Sequence, residues 1–261
     1  MGPTAQPTFA VNWARRADRA RDLQADYPAA ADLLRFYARV LDFQGHIASD
    51  ATATANTSQP LRAQVEIGIA MGRFPELLRI AQLYGPPRLG EAAAELRKRE
   101  SEWEQLLTSG AGAGLEDFLI RASLQPLAEH LQSQYPEATD QTARLCPVCG
   151  ASPQLIILRP EGEGARRSLL CSFCLREWTF RRVVCSYCGE LDKEKLPYYA
   201  AEECKHVRVE ACEVCRRYLK SVDLSLDGLA IPLVDEVALS ALDLWASERG
   251  YSKIVPNLLG L

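Results

Sequence analysis

Apolar residues recur every three or four positions through the first 140 residues, a spacing that places them on one face of a helix. After a first helix that contains residues 33–47, helices are predicted from Leu61 to Leu83, from Leu89 to Leu107 and from Leu115 to Leu131. The turn-forming stretches ATATANTSQP, YGPP and SGAGAG separate these segments. The earliest helix has two adjacent apolar stripes, which are formed by Leu33, Tyr37 and Leu41 and by Phe36, Val40, Phe43 and Ile47. This half of the chain is therefore predicted to form a helical domain.

The helical spacing returns near the end of the chain. Pro232 suits the first turn of a helix, and Gly250 suits its C-terminal stop. Between them, one apolar stripe contains Val234, Val237, Ala238, Ala241, Leu242 and Trp245. The pattern predicts one C-terminal helix whose role is packing.

All nine cysteines lie between Cys146 and Cys215, and eight of them form C-x-x-C pairs. A C-x-x-C turn can direct two thiolates at one metal ion, and two such turns complete a tetrahedral set of four sulfurs. A glycine, which tolerates positive φ, follows two of the four pairs as Gly150 and Gly189. The candidate metal ligands are Cys146, Cys149, Cys171, Cys174, Cys185, Cys188, Cys212 and Cys215.

Two pairings of these turns are open. In tandem order, 21 residues separate Cys149 from Cys171 and 23 separate Cys188 from Cys212, whereas a nested order joins the inner pairs across ten residues. Loop entropy grows only logarithmically with length, so it does not exclude the nested order. A glycine-bearing turn is followed by a glycine-free turn twice, and this repetition favours the tandem order.

Strand-forming segments accompany each predicted metal site. LIILR and SLL flank the turn-prone EGEG, HVRVEA alternates into Cys212, and WTFRRVV runs into Cys185. The predicted fold is therefore α+β: a mainly helical N-terminal domain, two tandem rubredoxin-like or zinc-ribbon modules, and a C-terminal helix. The expected boundaries are 1–142 for the helical domain, 143–183 for the first module, and 184–261 for the second module with the helix.

Charge and hydropathy narrow the classes of function. The chain of 261 residues has a formal net charge of −4, which disfavours a dedicated nucleic-acid binder. Residues 144–220 hold fourteen basic against ten acidic side chains, but two tetrathiolate sites with divalent ions would cancel that excess. No apolar run approaches the ~20 residues of a membrane span, and no signal peptide is recognisable. We therefore expect a cytoplasmic protein without membrane insertion. Nucleic-acid binding by a zinc ribbon is a less favoured alternative function.

No catalytic constellation is evident in the sequence. His46, His130 and His206 are scattered and match no hydrolase pattern. The chain is therefore predicted not to be an enzyme, and thiol-redox or sulfur-transfer chemistry by a labile C-x-x-C pair is the alternative. Cys204 lies outside the four pairs. It is expected to be either a solvent-exposed residue without a role or a buried apolar residue, rather than a resolving thiol.

The last 120 or so residues resemble the formate dehydrogenase accessory protein family, often called FdhE. The resemblance rests on RLCPVCG at 144–150, on LLCSFC followed by EW and CSYCG, on CEVCRRYLK at 212–220, on ALDLWASERGYSK and on PNLLG. It implies a cytoplasmic assembly factor that binds the immature catalytic subunit of a respiratory formate dehydrogenase and is required for its maturation before export. It also implies two tetrathiolate-bound metal ions, with iron preferred, although four thiolates accept zinc equally well. A homodimer is left open.

Overall fold

The computed structural model describes residues 9–110, 114–137, 140–201 and 204–256. Its first half is helical, as predicted. The connector SGAGAG lies partly outside the described residues, which resume at Gly114. The helices are α1 (Phe9–Asp26), α2 (Ala31–Asp50), α3 (Ile67–Tyr84), α4 (Pro87–Lys98), α5 (Trp103–Ser109) and α6 (Leu115–Gln132).

The core of this domain forms where α1 and α6 pack against α2. The predicted α2 stripes are buried, except that Leu33 is only half-buried. Helix α6 is buried on nearly all sides from Phe118 onward, as expected of a central helix. The guanidinium of Arg16 in α1 forms two hydrogen bonds with the Glu129 carboxylate in α6, at 2.9 and 2.6 Å. An ion pair therefore fastens the first helix to the central one.

Two of the predicted helices are shorter than their apolar pattern. The segment Leu61–Gln64 is a 3-10 turn, and α3 begins only at Ile67. A second 3-10 turn, Glu100–Glu102, divides the predicted Leu89–Leu107 helix into α4 and α5. The Trp103 indole N–H donates to the Leu96 carbonyl oxygen across this division, at 2.8 Å. The apolar stripe thus continues through the 3-10 turn, which is why the sequence pattern did not reveal the break between α4 and α5.

The second half contains one mixed sheet among the described residues. The strands are β1 (Pro153–Glu161), β2 (Gly164–Cys171), β3 (Glu177–Thr179), β4 (Tyr198–Ala200), β5 (Val207–Ala211), β6 (Arg217–Asp223) and β7 (Ser252–Lys253). They lie in the order β3-β2-β1-β6-β5-β4, and β7 pairs in parallel with the start of β6. EGEG forms the predicted turn between antiparallel β1 and β2. Of the segment WTFRRVV, which was predicted to run into Cys185, only Trp178 and Thr179 lie in a strand, β3.

The sheet is continuous across the two cysteine-rich segments. Strand β1 of the first pairs in parallel with β6 of the second, so that Ile156 lies beside Ser221 and Leu158 beside Asp223. The Leu224 N–H extends this pairing by donating to the Leu158 carbonyl oxygen at 2.8 Å. The two segments therefore share backbone hydrogen bonds, and their division at residue 183 stays a prediction.

The C-terminal segment is two helices rather than the one predicted. Helix α7 (Pro232–Ala238) ends before Leu239, and α8 (Ala241–Glu248) follows directly. The Lys220 ammonium donates to the carbonyl oxygens of Glu236 and Leu239, at 2.5 and 3.4 Å. These bonds satisfy carbonyls that the end of α7 leaves without a helical partner. The break is therefore stabilised by a side chain from β6, which the local stripe could not reveal.

Lys220 belongs to a buried cluster of charges between the sheet and these helices. It pairs with Glu236 and Asp243, and Lys253 of β7 pairs with the same two carboxylates. The Tyr218 hydroxyl donates to Asp243 Oδ1 at 2.7 Å. Burial lowers the pKa of Lys220, against the opposing effect of the two carboxylates. Two positive and two negative groups thus join β6 and β7 to α7 and α8.

Candidate metal centres

The first four-cysteine cluster brings together Cys146, Cys149, Cys171 and Cys174, with all four sulfurs within 4.8 Å of one another. The Sγ atoms of Cys146 and Cys174 are 3.6 Å apart, and those of Cys149 and Cys171 are 3.4 Å apart. Four sulfurs that each lie ~2.3 Å from a central ion form a tetrahedron with edges of about 3.8 Å. The residues present therefore fit a tetrahedral metal ion.

The second cluster has the same form. Cys185, Cys188, Cys212 and Cys215 also lie within 4.8 Å, and both cross-pair distances, Cys185 to Cys215 and Cys188 to Cys212, are 3.7 Å. The cysteines are thus grouped in tandem order. The nested alternative is not realised, because the inner pairs belong to different clusters.

Backbone N–H groups point at one sulfur in each cluster. The N–H groups of Phe173 and Cys174 lie 3.4 and 3.5 Å from Cys171 Sγ. In the second cluster the N–H groups of Tyr187 and Cys188 lie at the same distances from Cys185 Sγ. Such bonds favour the thiolate form of sulfur, which is the form that binds a metal.

A left-handed residue follows every one of the four C-x-x-C pairs. Gly150 and Gly189 have φ of +74° and +84°, as their glycine identity suggests. Leu175 and Arg216 occupy the equivalent positions with φ of +56° and +55°. These two non-glycine residues were not recognised from the sequence, although the repeated spacing after the second cysteine was a usable signal.

The first cluster lies beneath the helical domain. Cys171 and Cys174 are fully buried, Cys146 is 3% exposed, and Cys149 is half-buried. The intervening Ser172 accepts a hydrogen bond at its carbonyl from the Gln125 side chain of α6, at 3.3 Å.

Two arginines complete this cover. The Arg62 guanidinium lies 3.9 Å from the centre of the Phe173 ring. The Arg176 guanidinium donates to three main-chain carbonyls at the end of α6 and just beyond it, those of Gln132, Tyr135 and Pro136. These contacts close off Cys171 and Cys174, so solvent approaches the first cluster through the half-buried Cys149.

The second cluster is open to solvent on one side. Cys188 is exposed and Cys215 is half-buried, whereas Cys185 and Cys212 are buried. Tyr187 is 48% exposed within the same cluster. The two clusters thus share their internal geometry and differ in accessibility.

Burial and hydrogen bonding act in opposite directions on these thiols. Burial is the main cause that raises the pKa of Cys171, and the sulfurs of Cys146 and Cys149 add to it. Burial also favours the neutral form of Cys185, but the N–H groups of Cys188 and Tyr187, together with the sulfurs of Cys188 and Cys215, outweigh it and lower the pKa of that thiol. The backbone therefore favours the thiolate form at Cys185, whereas burial dominates at Cys171.

Cys204 and the histidines lie outside both clusters. Cys204 is half-buried and packs against the apolar core. His46 is paired with Glu76 at 3.4 Å, and His130 Nε2 lies 3.1 Å from the Ala53 carbonyl oxygen.

A third group of metal-ligating side chains, which no sequence motif indicates, contains His206, Asp227 and Asp235. His206 Nε2 lies 3.3 Å from Asp235 Oδ1, and Asp227 is adjacent. The Arg19 guanidinium binds both carboxylates, at 2.5 Å to Asp235 and 3.2 Å to Asp227. Because a guanidinium already pairs with both acids, this group is an ion-pair cluster that ties α1 to α7.

Two consecutive segments of the chain match models of known protein domains. Residues 145–182 match the family described as "FdhE, central domain", and residues 183–259 match "FdhE, C-terminal domain". The "Protein FdhE homolog" of Pseudomonas aeruginosa is 32% identical over 95% of this chain and 89% of that protein. The chain belongs to the FdhE family. The "Protein FdhE homolog" of Aquifex aeolicus is 28% identical over 91% of this chain and 92% of that relative.

The fold of the FdhE family agrees as well. The crystal structure of the FdhE protein from Pseudomonas aeruginosa superposes with a TM-score of 0.71 at 28% identity, and the match covers 97% of each chain. The resemblance and the α+β fold class are therefore confirmed. FdhE proteins are accessory proteins, so membership supports a role in formate dehydrogenase maturation. Within the described ranges, the helices are too short or too polar to cross a bilayer.

Proposed function

We propose that this chain binds the immature catalytic subunit of a respiratory formate dehydrogenase in the cytoplasm and is required for its maturation before export. The observation that carries this proposal is membership in the FdhE family across nearly the whole chain. The exposed second cluster supports it, because a partner protein can reach Tyr187 and Cys188 without unfolding the chain. The helical domain would then hold the sheet and supply part of the contact surface.

The same proposal assigns a metal ion to each cysteine cluster. Its ligands are Cys146, Cys149, Cys171 and Cys174 for the first ion, and Cys185, Cys188, Cys212 and Cys215 for the second. Iron is the preferred ion because of the family, and zinc suits the same four sulfurs. Metal binding would also supply folding free energy, of order 10 kcal/mol per site.

Affinity capture tests the partner. The tagged chain is used under anaerobic conditions as bait for the catalytic subunit expressed without its export signal, and we expect the subunit to be retained. The double variant Cys185→Ser, Cys188→Ser should retain less, whereas Cys204→Ser removes a cysteine outside both clusters and should behave as the parent. Failure of the parent chain to retain the subunit would refute the proposal.

Elemental analysis tests the metal assignment. Protein purified without oxygen should contain two equivalents of transition metal per chain, and iron would give the absorption bands of a ferric tetrathiolate. The Cys185→Ser, Cys188→Ser variant should lose one equivalent, and Cys204→Ser should lose none. Folded protein that holds no transition metal would contradict the assignment.

A further inference from the structure

Two adjoining cavities lie against the sheet, beside the connector between the cysteine clusters. The first has a volume of about 420 Å³ and the second about 840 Å³. They share the lining residues Ala165, Arg167, Arg182, Val183 and Val184, so they meet along the connector. Neither α7 nor α8 contributes to the lining. We call the pair of cavities the arginine cleft, after the basic side chains Arg166, Arg167, Arg181, Arg182, Arg208 and Arg217 that line it.

The floor of the arginine cleft is built from the strands. The Arg167 side chain is 7% exposed, and its guanidinium donates to Glu210 at 3.1 Å and to the Arg181 carbonyl oxygen at 3.0 Å. The Arg208 guanidinium donates to Ser221 Oγ at 3.2 Å and to Glu210 at 3.3 Å. Both guanidinium groups are thus held in place before a ligand arrives, which reduces the entropy lost on binding.

The charge of the cleft is opposite to that of the whole chain. Lys193 adds a seventh basic side chain, against three acidic ones, Glu161, Glu210 and Asp223. The formal net charge of the protein is −4, so the positive charge is concentrated locally. A cleft lined by one sign of charge attracts ligands of the other sign and raises their association rate.

Apolar walls accompany this charge. Val183, Val184, Leu196 and Ile254 line the first cavity, and Tyr198 stands at the edge of the sheet near the Arg208 guanidinium. A single small anion would leave these walls without a contact. A chain of phosphates has no apolar group to place against them. The lining instead suits a ligand in which acidic and apolar groups alternate.

We propose that the arginine cleft binds an extended, acidic segment of polypeptide. Carboxylate side chains of the segment would meet the guanidinium groups, and the small apolar side chains between them would contact the valine and leucine walls. The proposal rests on the proposed function only in that the immature subunit would supply the segment. Nucleic acid and free phosphate are the competing ligands that the experiment must exclude.

Fluorescence anisotropy with the full-length, metal-loaded protein provides the test. The probe is a fluorescein-labelled peptide of six Glu-Ala repeats, and a Lys-Ala peptide of the same length is the control. We expect saturable binding of the acidic peptide alone, weakened by salt because the contacts are ionic. Unlabelled single-stranded DNA and inorganic phosphate, each at matched charge concentration, should displace the probe less effectively than unlabelled Glu-Ala peptide.

Charge reversal locates the binding. Arg182 and Lys193 are exposed, so the double variant Arg182→Glu, Lys193→Glu should fold normally and weaken peptide binding by about tenfold or more. The matched control Arg35→Glu, Lys98→Glu makes the same charge change on exposed positions of the helical domain and should bind as the parent.

Three results would overturn the proposal: equal binding by both double variants, equal binding of the acidic and basic peptides, or stronger displacement by DNA or phosphate. Loss of subunit capture with peptide binding intact would instead count against the proposed function and leave the arginine cleft assigned. The reverse outcome, with subunit capture intact and no peptide binding, would refute the cleft alone.

Discussion

The unequal burial of the two cysteine clusters predicts unequal rates of metal loss. When zinc-loaded protein is mixed with an excess of a chromogenic chelator, we expect two phases of equal amplitude. The fast phase belongs to the second cluster, where Cys188 is exposed and a competing ligand can attack directly. The slow phase belongs to the first cluster, where Cys149 is half-buried but release of the ion also requires access to Cys171 and Cys174, which are fully buried beneath the helical domain.

The contacts that close the first cluster set the size of the difference. The hydrogen bond from Gln125 to Ser172 contributes about 1 kcal/mol, and the charge-assisted bonds of Arg176 contribute about 1.5–3 kcal/mol. The Arg62 guanidinium over Phe173 adds about 0.5–1 kcal/mol. A local opening that costs about 3–5 kcal/mol is populated roughly a hundred to a few thousand times less than the closed state. The slow phase should be retarded by a comparable factor.

Variants assign the phases. Cys185→Ser, Cys188→Ser should abolish the fast phase and leave the slow one. Arg176→Ala should accelerate the slow phase by about ten- to a hundredfold and leave the fast phase unchanged, because its contacts lie only at the first cluster. A single phase for the parent protein, or a fast phase that persists without Cys185 and Cys188, would refute the reasoning.

Three further predictions concern stability, each measured by urea unfolding of the metal-loaded protein. Gly150→Ala should destabilise the protein by about 1–2 kcal/mol because the φ of Gly150 is +74°; no atom lies within 4 Å of the added Cβ, so the backbone alone causes the effect. Gly72→Ala, at an exposed position within α3, should stabilise the protein by about 0.5–1 kcal/mol, and equal effects of the two substitutions would contradict the assigned backbone. Lys220→Met should cost about 3–5 kcal/mol because it removes one of two ammonium groups from a buried charge cluster, and a neutral result would show that the cluster is hydrated. Burial alone would raise the pKa of Asp235, but its bonds to His206 and Arg19 lower it. The stabilisation by this carboxylate should therefore be complete above about pH 3.9 and be lost as the pH falls through the folded-state pKa. The destabilisation caused by Asp235→Asn should shrink in acid, and a difference that stays constant with pH would contradict this prediction.

Local patterns sufficed for the helical character of the first half, although not for the breaks within its helices, and for the grouping of the cysteines. The apolar stripe of α6 predicted its extent to within one residue, because burial on nearly all sides leaves little ambiguity. The tandem order followed from the repetition of turn chemistry along the chain. Each of these features depends on residues close together in sequence, which is why a single chain was enough.

Most of the remaining features depend on partners that are distant in sequence. The run LIILR predicted β1 and the alternation in HVRVEA predicted β5, but neither pattern specifies that β1 pairs with β6. The break at Leu239 depends on Lys220, whose charge gave no reason to place it inside the protein. The left-handed backbone at Leu175 and Arg216 was hidden because neither residue favours that conformation. Tertiary contacts decide the first two features, whereas the spacing after each C-x-x-C pair was a local signal for the third.

The parallel pairing of β1 with β6 also limits how this chain can be divided. Severing it near residue 183 would strip each fragment of its neighbour and leave a row of unsatisfied amides and carbonyls along a largely apolar strand. Such an edge invites self-association, so either fragment made alone would tend to precipitate or to recruit a second copy. The two cysteine-rich segments should therefore be expressed together.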